Sequence, residues 1–128
     1  MTTEKFSIRK RIKSFQYAFR GLFILFQKEH NARIHLIAAI ITITLGLLFD
    51  IRACEWAVII FAIVLVIGAE LFNSALEQLA DAVTKDLHPA IRNAKDMAAG
   101  AVLILALGAA VIGLIVFIPY FIKFFINV

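Results

Sequence analysis

The sequence predicts an all-α integral membrane protein, three transmembrane helices preceded by an N-terminal amphipathic surface helix. Three observations carry that prediction. Of 128 residues 62% are hydrophobic and the mean hydropathy is +0.94, well beyond a soluble domain, in which nearer half the residues would be apolar. Three apolar stretches are each long enough to cross a bilayer. Basic residues gather at one end, with Lys5, Arg9, Lys10, Arg11, Lys13, Arg20, Lys28 and Arg33 supplying eight of the thirteen Lys and Arg residues ahead of the first stretch. A chain this short has room for a few spans and no separate soluble domain, so residues 1–128 are read as one membrane-embedded domain. Any site must be built by a small bundle or shared between copies, and self-association is expected.

The first element is predicted over residues 5–28. Ile8, Ile12, Phe15, Phe19, Leu22, Phe23 and Phe26 recur in steps of three and four, which gathers them within about 100° of helical arc. Arg9, Lys10, Lys13, Arg20 and Lys28 fall on the other side. That is the pattern of a helix lying in the headgroup plane, either as a plain anchor or with its basic face turned to a polyanionic ligand. The basic clustering points to an anionic lipid surface and not to nucleic acid.

The spans are predicted at residues 32–50, 54–82 and 94–122. Asp50, Ile51 and Arg52 form a tight turn between the first two, and Val83 to Asn93 is a short polar link in which Pro89 disfavours helix at His88. The third span is uncharged from Met97 to Ile122. Its Gly100, Gly108 and Gly113, with several alanines, offer small surfaces on which helix backbones approach closely, whether within one chain or between chains.

Counting Lys and Arg gives eleven in the amino-terminal segment and second link against two, Arg52 and Lys123, on the opposite side. The positive-inside rule then places the amino terminus and second link in the cytoplasm. Trp56 and Tyr120 fit an aromatic belt at the outer end. Cys54, the single cysteine, is expected to be a small buried hydrophobe, and no cleavable signal is expected at the amino terminus.

The informative feature lies inside the second span. Glu70, Asn73, Ser74, Glu77 and Asp81 interrupt an apolar run and fall within about a quarter-turn of helix. Ionisable groups in a membrane helix cost a few kcal/mol each, so a row of them implies a compensating partner. On this topology the stripe occupies the cytoplasmic half of the span. Glu29 with Arg33, and Lys95 with Asp96, lie at the same level on other helices. Taken singly, Glu29 with Arg33 reads as an i,i+4 ion pair and Asp96 as an ordinary first-turn acid. Their shared depth argues for one cleft.

Carboxylates suit hard cations, and magnesium is usually held by one or two of them together with substrate phosphates. Glu29, Glu77 and Lys95 therefore suit a metal polyphosphate, and Glu70, deeper and less hydrated, suits a general base acting on a hydroxyl at headgroup depth. This combination fits phosphorylation of a lipid alcohol and leaves a small proton- or cation-conducting oligomer as the alternative. Soluble-kinase nucleotide signatures are missing. His30, His35 and His88 lack the spacing of a metal site.

The run AELFNSALEQLAD from Ala69 to Asp81, then AKDMAAGAV from Ala94 to Val102, resembles the signature of the small prokaryotic diacylglycerol kinase family, which includes undecaprenol kinases. YAFRGL from Tyr17 to Leu22 and Glu29 with Arg33 extend the likeness over most of the chain. The resemblance implies a homotrimer in the bacterial inner membrane that uses Mg-ATP to phosphorylate a lipid alcohol, diacylglycerol or undecaprenol. It implies Glu70 as catalytic base and Glu29 and Glu77 as metal ligands. Glu29, Glu77, Lys10, Tyr17, Asp81, His88, Lys95 and Asp96 become nucleotide contacts, and Asn73, Ser74 and Arg33 join Glu70 at the lipid substrate. Lys10 stands where better-known members carry arginine, and HPAIRN from His88 to Asn93 is closer to the undecaprenol kinase branch.

Overall fold

The structure, a computed structural model, describes residues 7–85 and 88–126. These residues form four helices, α1 (Ile8–Lys28), α2 (His30–Leu48), α3 (Ala53–Val83) and α4 (Pro89–Ile126), and no strand. Each of α2, α3 and α4 is long and apolar enough to cross a membrane. Lys5, near the expected start of the first helix, and Asp86 and Leu87 of the second link lie outside the described residues.

One residue separates α1 from α2. Glu29 is extended, with φ −98° and ψ 118°, although its N–H still donates to the Leu25 carbonyl at 2.9 Å. The last carbonyls of a helix have no partner inside it. Here Arg33, one turn into α2, supplies one: its Nε donates to the Phe26 carbonyl at 2.8 Å and its Nη2 to that of Gln27. Its guanidinium is thus spent on the end of α1, and the expected i,i+4 ion pair with Glu29 is not formed. Buried Leu25 and Ala32 pin the junction from within. From Ile8 to Arg20, by contrast, α1 is exposed on all sides, apolar and basic faces alike.

At the far end of the bundle α2 closes through Asp50, whose φ of 49° lies in the left-handed region that Asp tolerates better than most residues. The Ile51 N–H reaches back to the Gly46 carbonyl at 3.2 Å, and Ile51 itself enters a core with Ile59, Val116 and Phe117. Phe49 meets Phe121 edge-on at 4.9 Å and stacks on Tyr120 at 5.9 Å. Arg52 and Glu55 form a capping box on α3, and Tyr120 donates its hydroxyl to Glu55 Oε2 at 2.6 Å. Trp56 and Tyr120 therefore share one end of the molecule, and the acidic end of α3 lies at the other.

Two expectations need correction. The polar link ends earlier than residue 93, because α4 begins at Pro89: proline needs no N–H partner in a first turn, and His88 caps the helix by accepting from the Ala90 N–H at Nδ1 (3.3 Å) and the Arg92 N–H at its carbonyl (3.0 Å). Cys54 is exposed, since Glu55 and Trp56 make the packing contacts of that turn. Gly100, Gly108 and Gly113 face open space in the single chain. Among the glycines only Gly46 is approached closely, by the Trp56 ring.

Candidate active site

The polar stripe of α3 turns inward and grades from sealed to wet along the helix. Glu70 and Ser74, one turn apart, are 3% and 4% exposed, Asn73 and Glu77 are half-buried, and Asp81 is exposed. Spacing of three and four fixes that common face, while Phe72 and Leu79 point away from it. Asn73 Nδ2 donates to Glu77 Oε1 at 3.3 Å. Three buried atoms on the stripe lack a hydrogen-bond partner: Glu70 Oε1, Asn73 Oδ1 and Ser74 Oγ. Burying a polar atom unpaired is costly, so three neighbouring ones set this part of the stripe apart from the rest of the bundle.

Glu70 has one ionisable neighbour at close range. His35 of α2 brings Nε2 to 3.1 Å from Glu70 Oε1, but off the ring N–H direction, so the carboxylate gains electrostatic contact without a directed hydrogen bond. The carboxylates of Glu29 and Glu77 both lie within electrostatic reach of Glu70. On the α4 side Lys95 pairs with Asp81 at 2.9 Å and feels the charge of Glu77. The α1–α2 junction, α2, α3 and α4 each contribute a group to one end of the bundle. Among the described residues no three His, Cys, Asp or Glu side chains converge tightly enough to cage a metal ion. What they offer is separate carboxylates.

The other candidates sit around this cluster. Lys10 and Tyr17 are on the exposed part of α1, His88 caps α4, Asp96 is exposed beside Lys95, and Arg33 engages the carbonyls of α1. The residue that sequence reasoning missed is His35. It was weighed as a metal ligand, for which the spacing was wrong, when the informative signal was an ionisable ring inside an apolar span at the depth of Glu70.

Beyond His35 a groove of about 390 Å³ runs between α2, α3 and α4, within the range of small-molecule pockets. Ala39, Ala62, Ala106, Ala109 and Gly113 keep it open, and its walls are almost wholly apolar. His35 lines the groove; Glu70 does not.

Comparison with known proteins gives this geometry a context. The model of the prokaryotic diacylglycerol kinase family matches residues 16–117. The chain is 36% identical over 112 residues to the undecaprenol kinase of Bacillus subtilis, covering 88% of this chain and 91% of that one. It is 37% identical over 107 residues to the diacylglycerol kinase of Synechocystis, covering 83% of this chain but only 61% of that protein. To the diacylglycerol kinase of Escherichia coli K12 it is 29% identical over 100 residues, 78% of this chain and 82% of the relative. Since the matched region spans most of the sequence and contains the whole inward stripe of α3, the chain belongs to the prokaryotic diacylglycerol kinase family.

Proposed function

We propose that this lipid kinase moves the γ-phosphoryl group of ATP onto the hydroxyl of a membrane lipid alcohol, diacylglycerol or undecaprenol, at the cytoplasmic face of the bacterial inner membrane. The observation that carries the proposal is the gathering of Glu29 from the α1–α2 junction, Glu70 and Glu77 from α3 and Lys95 from α4 at one end of a membrane bundle. The orientation rests on the excess of Lys and Arg at that same end.

In this reading Glu70 accepts the proton of the lipid hydroxyl as its oxygen attacks the γ-phosphorus. A phosphorus–oxygen bond forms to the lipid, the bond to the β–γ bridging oxygen breaks, ADP departs and the proton leaves Glu70 for cytoplasmic water. Asn73 Oδ1 and Ser74 Oγ, unpartnered and buried beside the base, hold the polar end of the lipid, with Arg33 at its margin. Lys95 offsets phosphate charge while Asp81 holds its ammonium in place. Lys10, Tyr17, His88 and Asp96 border the nucleotide. Positioning and charge neutralisation supply much of the rate in phosphoryl transfer, which suits a site with few reactive groups.

Magnesium fits the residues present. Two carboxylates near Glu70, with no third ligand closing a cage, are what an ion shared with phosphate oxygens and water needs. Glu29 and Glu77 would hold it, and when bound it would neutralise charge on the transferring phosphoryl group. A homotrimer is the oligomer we favour; the exposed length of α1 and the open faces of Gly100 and Gly108 support contact with neighbouring copies.

The test is direct. Purified protein with γ-labelled ATP and magnesium should place label in the organic phase when offered diacylglycerol or undecaprenol side by side. Label with neither substrate overturns the proposal.

A further inference from the structure

We infer that His35 is a positioning residue for Glu70: its imidazole aims the carboxylate at the mouth of the apolar groove, where the hydroxyl of a lipid whose chain lies in that groove arrives. This rests on the kinase reading and deepens it by naming the side chain that aligns base and acceptor.

Four observations converge on the ring. His35 Nε2 stands 3.1 Å from Glu70 Oε1, an oxygen that no other group in the described residues satisfies. Glu70 is sealed at 3% exposure whereas His35 is 23% exposed, so the ring has more room to turn than the carboxylate it faces. His35 also forms part of the groove wall, which Glu70 does not reach, and so stands between the hydrocarbon path and the base. Finally, Glu29 and Glu77 bring like charge within electrostatic reach of Glu70, so the imidazole is the attractive partner recorded beside it.

The off-line approach of the ring is informative. Catalytic hydrogen bonds are commonly poorly aligned without substrate and tighten when it binds. A modest rotation of the imidazole would point Nε2–H at Oε1, leaving the second carboxylate oxygen to accept the hydroxyl proton. A histidine serving only to fill the core would instead turn its nitrogens toward backbone carbonyls, and His35 forms no such bond among the described residues.

The test compares wild type, His35→Ala and His35→Gln in detergent micelles with Mg-ATP and a lipid alcohol. His35→Ala should lower kcat about 100-fold, the order expected for a reacting group misplaced by about 1 Å, with KM for Mg-ATP unchanged. Free imidazole should restore part of the alanine variant's rate, and His35→Gln, which keeps a donor near the carboxylate, should retain more activity than His35→Ala. Wild-type kcat in His35→Ala overturns the inference. So does a loss shared equally by both variants that imidazole leaves untouched, since that marks a purely structural histidine. Failure of the wild type to label any lipid alcohol is a different result, because it removes the kinase reading and not the role of His35 alone.

Discussion

The ammonium of Lys95, in the second turn of α4, lies 2.9 Å from the Asp81 carboxylate near the end of α3, and this pair sets a cation beside the wet end of the acidic stripe. Asp81 is 69% exposed and Lys95 35%, so water screens the pair, which adds little to stability, and its value is positional. Lys95→Met should raise KM for Mg-ATP roughly tenfold or more, the scale of a lost charge-assisted contact to phosphate, while thermal unfolding stays unchanged. Asp81→Ala should raise KM less, because the ammonium survives and only its tether is gone. Steady-state kinetics with ATP varied at saturating lipid alcohol checks both.

Under the proposed mechanism Glu70 takes the proton of the lipid hydroxyl. Glu70→Gln preserves the shape of the side chain and removes its capacity to take a proton, so kcat should fall by about 10²–10⁴, the usual contribution of a general base. Stability should hold or rise, since the substitution removes a buried charge facing Glu29 and Glu77. Nucleotide binding, read as ATP-dependent protection against thermal unfolding, should persist. Near-normal lipid phosphorylation by this variant would remove Glu70 from its assigned role.

The legibility of the molecule in its sequence follows from which interactions are periodic. The three spans and the inward face of α3 were readable because burial in a helix repeats every three to four residues, and a polar stripe in an apolar run stands out against it. The relation of His35 to Glu70 was not readable, because it depends on the azimuth of α2 against α3, which no local pattern encodes. The same holds for Tyr120 and Glu55, 65 residues apart. Arg33 shows a subtler limit: spacing paired it with Glu29, but the extended backbone at Glu29 opened the end of α1 and gave the guanidinium unsatisfied carbonyls instead. The early start of α4 was hidden by the polarity of Arg92 and Asn93, which hydropathy reads as loop although helix geometry accepts them.

Gly46 is the one glycine whose lack of a side chain the packing requires. A Cβ there would meet Trp56 Cη2 at 2.7 Å and Cζ2 at 2.9 Å, with Ile51 Cδ1 at 3.2 Å. The indole is rigid and sits against the turn that joins α2 to α3, so it has little freedom to retreat. Gly46→Ala should therefore cost about 1–3 kcal/mol, the usual range for overpacking, and lower the unfolding midpoint in detergent. Replacing Trp56 by Leu in the same chain should recover part of the loss, because the clash lies in the ring. As the site lies at the other end of the bundle, kcat of the surviving folded protein should be little changed.

Glu29 and Glu77 offer a test that separates metal binding from catalysis by Glu70. Chelation of divalent ions should abolish turnover and magnesium should restore it, as expected for an ion that neutralises phosphate charge. The two carboxylates come from different elements, the α1–α2 junction and α3, and among the described residues neither belongs to a closed cage, so in the proposed site each would carry a large share of the protein's hold on the ion. Glu77→Gln should raise the magnesium concentration for half-maximal activity by at least about tenfold, given that even outer partners of metal sites are worth about 10–100-fold. Excess magnesium should then recover much of the rate, because the base is intact, whereas no magnesium concentration should rescue Glu70→Gln. If Glu77→Gln instead loses turnover at every magnesium level while remaining folded, Glu77 acts on the reacting groups themselves and the ion must be held elsewhere.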